Sequence, residues 1–234
     1  MSREQEKRVA GRHAAGLVED GMRIGLGTGS TVRHLVETLG ERGADIICLA
    51  TSAATEQLAA AQGLRLMTAD EAGRLDLTID GADEIDPQLN LTKGGGGAHV
   101  REKIVAHMSD RFVVIADVGK LVPALGPFGT PLEALAWAQG PVSRSLMALG
   151  ATEVRWRETP SDNGNPVADA HFGTISDPVA LAAAIDAVPG MVGHGLFPGA
   201  WVERAVIGAG AEVREVRAAD AGTPRTGTPG RRGA

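Results

Sequence analysis

The sequence predicts an α/β protein with a doubly wound, mostly parallel sheet and a smaller α+β domain inserted into it. The first observation is that short apolar, β-branched segments alternate with helical segments between residues 22 and 116, which is typical of a parallel sheet covered by helices. The second is that the order becomes strand, helix, strand, strand, helix, strand between residues 128 and 201. That order is the one found in a ferredoxin-like unit.

These observations divide the chain into three predicted regions. Residues 1–127 and 202–217 form the main α/β domain, because two more apolar, β-branched segments follow the insert. Residues 128–201 form the ferredoxin-like insert. Residues 218–234 are rich in Gly, Pro, Thr and Arg, and this composition predicts a disordered tail.

The predicted main domain begins with a helix, since Ser2 and Gln5 have the spacing of a capping box and open a helical segment that extends to residue 18. The other elements follow from apolar periodicity and from bounding turn residues. In the main domain the predicted strands are 22–26, 46–50, 64–67, 75–79 and 112–116, and the helices are 30–39, 53–62 and 98–107. In the insert the strands are 131–137, 152–157, 166–171 and 191–197, and the helices are 142–149 and 178–188.

The composition excludes several classes of protein. Only 3% of the 234 residues are aromatic, and the formal net charge is −6. Nucleic-acid binding is therefore not expected, because it needs stacking platforms or a basic face. No stretch approaches the ~18 apolar residues of a membrane helix, and the N-terminus is unlike a signal peptide, so we predict a cytoplasmic protein without a membrane partner. The single cysteine, Cys48, lies in an apolar run and is predicted to pack in the core.

A glycine-rich turn after the first strand indicates an anion site. The segment 25–31 reads Gly-Leu-Gly-Thr-Gly-Ser-Thr and leads into a helix, which is a phosphate-binding arrangement with hydroxyls at Thr28, Ser30 and Thr31. The segment lacks the Lys-Ser/Thr pair of a Walker loop and the glycine spacing of a dinucleotide fingerprint. The next strand ends in Thr51-Ser52, with no acid to hold a ribose, which argues against NAD.

A second polar cluster follows the strand 75–79. It contains Asp80 and Asp83 and is followed by Lys93 and a run of four glycines, 94–97. Acids at a strand end belong on a loop, where α/β proteins place their sites. A solvated loop is the simplest interpretation, and Mg²⁺ held by Asp80 and Asp83 is a rival one. A zinc site using His99, Glu102 and His107 is disfavoured because the spacing does not match a known zinc motif.

Five motifs occur in order along the chain: Gly-Leu-Gly-Thr-Gly-Ser-Thr at 25–31, Asp-Gly-Ala-Asp-Glu at 80–84, Lys-Gly-Gly-Gly at 93–96, Arg-Glu-Lys-Ile at 101–104 and Asp-Asn-Gly-Asn at 162–165. Together they resemble ribose-5-phosphate isomerases of type A. The resemblance runs in order from about residue 3 to residue 216. Gly97 and His99 depart from it, and His99 does so because a small or apolar residue is expected there.

The resemblance implies interconversion of D-ribose 5-phosphate and D-ribulose 5-phosphate through an enediolate, with no metal and no other cofactor. It implies that Glu102 is the base, that Asp80 moves the hydroxyl proton, that Lys93 stabilises the enediolate oxygen and that Asp83 orients the sugar. A homodimer or homotetramer is expected, with a sugar phosphate as the partner molecule. The substrate-binding residues implied are Lys7, Thr28, Gly29, Ser30, Thr31, Gly81, Ala82, Gly94, Gly95, Gly96 and Lys120.

Two other functions are compatible with this kind of fold. A sugar-phosphate-sensing module would keep the phosphate loop, but it needs a DNA-binding segment, and no helix-turn-helix precedes residue 22. An acyl or coenzyme A transferase would need a glutamate nucleophile and a coenzyme site, for which no separate motif is found.

Overall fold

The computed structural model describes residues 2–217. Its helices are α1 (Arg3–Ala15), α2 (Ser30–Glu41), α3 (Ala53–Ala61), α4 (Ala69–Ala72), α5 (His99–His107), α6 (Gln139–Ala148) and α7 (Pro178–Asp186). Its strands are β1 (Arg23–Leu26), β2 (Ile47–Ala50), β3 (Arg65–Leu66), β4 (Leu77–Asp80), β5 (Glu84–Ile85), β6 (Leu91–Thr92), β7 (Phe112–Asp117), β8 (Thr130–Ala134), β9 (Glu153–Trp156), β10 (Val167–His171), β11 (Met191–His194), β12 (Leu196–Phe197), β13 (Arg204–Ala209) and β14 (Glu212–Val216). Short 3₁₀ turns lie at Val118–Lys120, Ala136–Ala138 and Gly199–Trp201.

The main sheet has seven strands in the order β14-β13-β7-β4-β1-β2-β3. All neighbours are parallel except the antiparallel pair β13 and β14. The predicted fold class is therefore confirmed. From β1 the chain proceeds to β2 and β3 on one side, and from β4 to β7 and β13 on the other. Open α/β sheets bind ligands beyond the carboxyl ends of the strands, at the point where the strand order changes direction. The loops after β1 and β4 lie at that point, so a ligand site is expected there.

The insert forms a separate antiparallel sheet in the order β11-β8-β10-β9, with α6 and α7 packed against it. The chain order of β8, α6, β9, β10, α7 and β11 is the one expected of a ferredoxin-like unit. The boundaries at residues 127/128 and 201/202 stay predictions, and the predicted disordered tail 218–234 lies outside the described residues.

The strand predicted over 191–197 was wrong, because the structure divides it. Here β11 pairs with β8, whereas β12 leaves the insert and joins β6 and β5 in a small third sheet. The break is at Gly195, whose N–H donates to Pro131 O at 2.7 Å and whose carbonyl accepts from the N–H of Lys93 at 2.8 Å. A Cβ at position 195 would lie 1.9 Å from Lys93 O, so only glycine allows this approach.

One core of the main domain lies between the sheet and helices α1 and α2, and its members are almost completely buried, including Ile24, Leu35, Ile79 and Ile115. Cys48 belongs to this core, and burial raises the pKa of its thiol to about 12. This keeps the thiol protonated and suits a packing role. Over residues 2–217, no helix is both long enough and apolar enough to cross a membrane.

Candidate active site

One cleft opens at the carboxyl ends of β1 and β4. Its lining contains all but one of the residues that the sequence indicated: Lys7, Thr28, Gly29, Ser30, Thr31, Gly81, Ala82, Asp83, Lys93, Gly94, Gly95, Gly96, Glu102 and Lys120. The exception is Asp80, which is fully buried and contacts Lys93. Segments from α1, α2, β4, β6, α5 and the turn after β7 thus meet at one place.

The N-terminus of α2 forms one part of the cleft. Gly29 is the N-cap, with φ of +125° and no side chain, so no side-chain cap bonds to the first N–H groups. The opening N–H groups of a helix have no intrahelical acceptor and favour an anion. Ser30 and Thr31 add hydroxyls, and Lys7 and Lys120 bring two ammonium groups to the same cleft. This arrangement suits a phosphate.

Asp80, the last residue of β4, is held by backbone donors. Its Oδ1 accepts from the N–H groups of Thr28 at 3.0 Å and Gly81 at 2.7 Å. The carboxylate fits here because position 27 is glycine: a Cβ there would lie 1.9 Å from Asp80 Oδ1. Burial raises the pKa of Asp80, while the nearby Lys93 ammonium and the two N–H donors act in the opposite direction.

Lys93 connects the two carboxylates at the bottom of the cleft. Its Nζ lies 2.9 Å from Asp80 Oδ2 and 3.2 Å from Glu102 Oε2, and it donates to Gly81 O at 2.6 Å. The side chain is only 2% exposed. Burial acts to lower the pKa of Lys93, but the charges of Asp80 and Glu102 outweigh it, so the pKa lies above its ordinary value. Lys93 is therefore a buried cation, and we call Asp80, Lys93 and Glu102 the carboxylate–lysine cluster.

Glu102 lies near the start of α5, 4% exposed. Burial, followed by the charge of Asp80, raises its pKa to about 8, although Lys93 acts to lower it. Burial disfavours the charged form of a carboxyl group that has one cation to share with a second carboxyl. A carboxyl group with a pKa near neutral can both accept and return a proton under ordinary conditions.

Residues 94–97, which we call the glycine loop, lie between the carboxylate–lysine cluster and the insert. The N–H of Gly95 donates to Asp83 Oδ2 at 2.8 Å. Asp83 is fixed in turn by its own N–H, which donates to Thr92 O at 2.8 Å. The side chain of Asp83 is thus held at the cleft by a hydrogen bond. The simplest interpretation of the acid cluster, a freely solvated loop, does not describe this residue.

Thr28 lines the cleft, but its donors are already engaged within the protein. Its N–H bonds to Asp80, and its hydroxyl lies 2.8 Å from both Thr51 Oγ1 and Ser52 Oγ. Thr55 extends this hydroxyl network to Gly27 O. The geometry therefore favours a role for Thr28 in supporting the turn and Asp80, with Ser30 and Thr31 better placed for the ligand.

The remaining acids of the cluster have structural partners. Glu84 accepts from Thr92 Oγ1 and from the N–H groups of Gly126 and Phe128. Asp86 closes a turn by accepting from Gln88 and Asn90. Within the described part of the chain, no group of three or more His, Cys, Asp or Glu side chains is arranged to hold a metal ion.

A sequence profile described as "Ribose 5-phosphate isomerase A (phosphoriboisomerase A)" matches residues 47–212, well over half of the chain. The chain belongs to the ribose 5-phosphate isomerase A family. The resemblance inferred from the five motifs is therefore confirmed.

Relatives within the ribose 5-phosphate isomerase A family match nearly the whole chain. The enzyme of Bradyrhizobium diazoefficiens is 45% identical over 234 residues, covering 92% of this chain and 97% of the relative. That of Rhodopseudomonas palustris is 48% identical over 213 residues, covering 85% and 92%. The crystal structure of ribose 5 phosphate isomerase A from Neisseria gonorrhoeae has a TM-score of 0.90 and 34% identity, covering 93% of this chain and 98% of that one. A D-ribose-5-phosphate isomerase in complex with phospho-erythronic acid has a TM-score of 0.89 and 33% identity, covering 93% and 100%.

Sequence reasoning missed the side chains with which the insert reaches the site. Arg157 donates to two carbonyls of the glycine loop and is paired with Asp169. No local signal marks either residue, because their partners lie far along the chain. His99, noted for its unexpected polarity, is fully buried behind the glycine loop, and burial lowers its pKa to about 3. It is therefore neutral.

Proposed function

We propose that the chain interconverts D-ribose 5-phosphate and D-ribulose 5-phosphate, the reaction named by its family. The observation that carries the proposal is the buried Glu102 carboxyl group beside Lys93, in a cleft that also contains an anion-binding helix N-terminus. The first feature suits proton transfer at carbon and the second suits the phosphate of a small sugar. The roles of individual residues, given below, belong to this proposal.

The proposed reaction begins with the phosphate at Ser30, Thr31, Lys7 and Lys120. Glu102 removes the proton from C2 of the open-chain aldose, which places negative charge on the carbonyl oxygen and forms the enediolate. Lys93 stabilises that oxygen, because a preorganised cation in a water-poor site acts strongly on developing charge. Asp80 transfers the proton between the two hydroxyl oxygens, and Glu102 returns its proton to C1. Asp83 orients the remaining hydroxyls.

The two alternative functions make different use of the same residues. A sensing module has no use for a buried carboxyl group of raised pKa at the bottom of its cleft. An acyl or coenzyme A transferase needs a coenzyme site beside its glutamate nucleophile, whereas the cleft that contains Glu102 is lined by an anion-binding helix N-terminus, lysines and glycines that suit a small sugar phosphate. Both observations favour the isomerase.

The proposal is tested by mixing the pure protein with ribose 5-phosphate in deuterium oxide with a chelator present, and following the sugar by NMR. We expect ribulose 5-phosphate, with deuterium at C1 of the ketose or C2 of recovered aldose showing exchange through a base. Binding without turnover would favour the sensing alternative. Loss of activity that Mg²⁺ restores would instead make Asp80 and Asp83 metal ligands. A cytoplasmic location and an assembly of two or four copies stay predictions.

Thr31→Ala tests the phosphate site. Removal of one hydroxyl donor to a charged acceptor should cost about 1.5–3 kcal/mol of binding, which raises KM by about tenfold or more. The expected change falls on KM because the phosphate is remote from the reacting carbons. Thr38→Ala on the same helix is the control, since its hydroxyl bonds to His34 O and lies outside the cleft lining. Equal turnover of ribose and ribose 5-phosphate would contradict this assignment.

The raised pKa of Glu102 predicts a pH dependence of activity. The base must be ionised, so kcat/KM should rise with pH, reach half of its maximum near pH 8 and level off at higher pH. The apparent value belongs to the whole carboxylate–lysine cluster, because its members are coupled. Substrate phosphate titrates near pH 6, so the profile should be measured from about pH 6.5 to 9.5. A flat profile over that range would contradict the assignment.

The same pKa predicts a pH dependence of stability. The folded pKa of about 8 lies above the ordinary value of 4.5, so folding favours protonated Glu102. That contribution is complete below about pH 4.5 and is lost as pH rises through 8. Glu102→Gln cannot ionise, so its melting temperature relative to that of the unmodified protein should increase between pH 6 and pH 9. An unchanged difference would mean that Glu102 has no raised pKa.

A further inference from the structure

Arg157 follows β9 in the insert and reaches across to the glycine loop. Its Nη1 donates to Gly94 O at 2.9 Å and to Gly95 O at 3.2 Å. Its Nε and Nη2 donate to the two carboxylate oxygens of Asp169, on β10, at 2.8 and 2.6 Å. The guanidinium is therefore fixed on one side by a bidentate pair and holds two consecutive loop carbonyls on the other.

These contacts help to fix which way the loop N–H groups point, together with the N–H of Gly97, which also donates to Gly94 O at 2.9 Å. In a trans peptide the C=O and N–H point in opposite directions, and the described chain has no cis peptide bonds. Gly94 O and the N–H of Gly95 share one peptide: the carbonyl bonds to Arg157 and the N–H bonds to Asp83, as this rule requires. Gly95 O and the N–H of Gly96 share the next peptide, whose carbonyl also bonds to Arg157.

The N–H of Gly96 must therefore point away from Arg157. Gly96 itself lines the cleft, and within residues 2–217 its N–H makes no backbone hydrogen bond of a turn or loop. An N–H group that is oriented but unoccupied beside a reaction site is a donor for an oxygen of the substrate. Gly96 and Glu102, the proposed base, line the same cleft.

We propose that Arg157, held by Asp169, is a positioning residue that aims the Gly96 N–H at the substrate oxygen on which negative charge develops. This inference rests on the proposed isomerase function. The insert would thus supply part of the stabilisation of the enediolate without contacting substrate. The positive charge of Arg157 is not itself the agent, because it is neutralised by Asp169 and both side chains are about a quarter exposed (22% and 25%).

The shape of the guanidinium is essential to this role. Arg157 uses three nitrogens to bind Asp169 and the loop at once. A lysine ammonium is a point charge on a flexible stem and cannot hold both partners in a fixed plane. Arg157→Lys should therefore keep the charge and lose the effect.

The experiment compares Arg157→Ala, Arg157→Lys and the double variant Arg157→Ala/Asp169→Ala. The double variant removes the carboxylate that Arg157→Ala leaves unpaired, and it keeps the test valid if that single variant folds poorly. Arg155→Ala is the matched control, since Arg155 lies on β9 two residues before Arg157, is 70% exposed and pairs with Glu153. Four quantities are measured: kcat and KM for ribose 5-phosphate, and the inhibition constants of phospho-erythronic acid and of inorganic phosphate. The first inhibitor has a carboxylate where the enediolate oxygens form, and the second tests the phosphate site alone.

For the three Arg157 variants we expect kcat to fall by about 10²-fold, the loss typical of one oxyanion donor, and inhibition by phospho-erythronic acid to weaken by at least about tenfold. The inhibition constant of inorganic phosphate and the KM for ribose 5-phosphate should each change by less than about threefold. Arg155→Ala should match the unmodified protein in all four quantities. Two results would overturn the proposal: unchanged kcat with a lowered melting temperature, or equal losses for phosphate and phospho-erythronic acid. If the isomerase function itself were wrong, the unmodified protein and Arg155→Ala would not turn over ribose 5-phosphate either.

Discussion

Glu102→Gln should lower kcat for ribose 5-phosphate by ~10²–10⁴-fold, the usual cost of losing a general base, or by more because the same group takes and returns the proton. The amide keeps the shape of the side chain and can still accept a hydrogen bond from Lys93, which lies 3.2 Å from Glu102 Oε2. KM should change little, since the ground-state contacts of the phosphate and hydroxyls remain. Steady-state kinetics at pH 8 measures both constants.

Glu102→Asp is the graded control for this result. It keeps a carboxylate but is shorter by one methylene, so it should retain more activity than the amide while losing rate through misplacement. If Glu102→Gln keeps more than about a tenth of the unmodified kcat, a loss below ~1.4 kcal/mol, Glu102 is not the base. Asp80 would then be the next candidate, because it is the other carboxyl group in contact with Lys93.

Lys93→Met should lower kcat by about 10²–10³-fold, the range found when a preorganised group that stabilises developing charge is removed. Methionine has a similar length and no charge, so the space is filled. Removal of the cation also leaves Asp80 and Glu102 facing each other in a buried site, and breaking a buried ion pair typically costs about 3–5 kcal/mol of folding stability. The limb of the pH profile assigned to Glu102 should move to higher pH, because the group that lowers its pKa is gone.

Lys103→Met separates these effects. Lys103 is a partly buried lysine on α5, and its Nζ contacts His194 and Leu196 O instead of the carboxylates. Burial lowers the pKa of Lys103 to about 8. We expect Lys103→Met to change stability while keeping kcat within about threefold and leaving the pH profile in place. If Lys93→Met had the pH profile of the unmodified protein and kept more than a tenth of its kcat, Lys93 would not stabilise the enediolate.

The elements that carry the site could be predicted from sequence because their signals are local. The turn at Gly27 and Gly29 follows a short apolar strand, and Asp80 ends another, so both loops had to lie at the same edge of a parallel sheet. The placement of Glu102 near the start of a helix after the glycine loop followed from the same kind of pattern. Individual roles came from the resemblance to a family, since a pattern does not distinguish a base from a solvated carboxylate.

The rest depends on contacts between distant segments. Strands β5, β6 and β12 have two residues each, too few for any period to be visible, and β12 was merged with β11 in the prediction. The bond from Arg157 to Gly94 O spans 63 residues, and the network from Thr28 to Thr51 spans 23. Such long-range contacts form when the sheets pack together, and the neighbouring sequence contains no local pattern that predicts them.

The backbone hydrogen bonds of Gly195 determine whether residues 128–201 could be deleted without disturbing the site. The N–H of Lys93 donates to Gly195 O, and the N–H of Gly195 donates to Pro131 O on β8. The main chain of the buried lysine is thus fastened to the insert by a line of peptide hydrogen bonds. A shortened version without residues 128–201 would leave that N–H without its acceptor and the lysine without its support. We therefore expect the predicted insert to be needed for the position of Lys93, and a protein shortened by it to lose the geometry of the site.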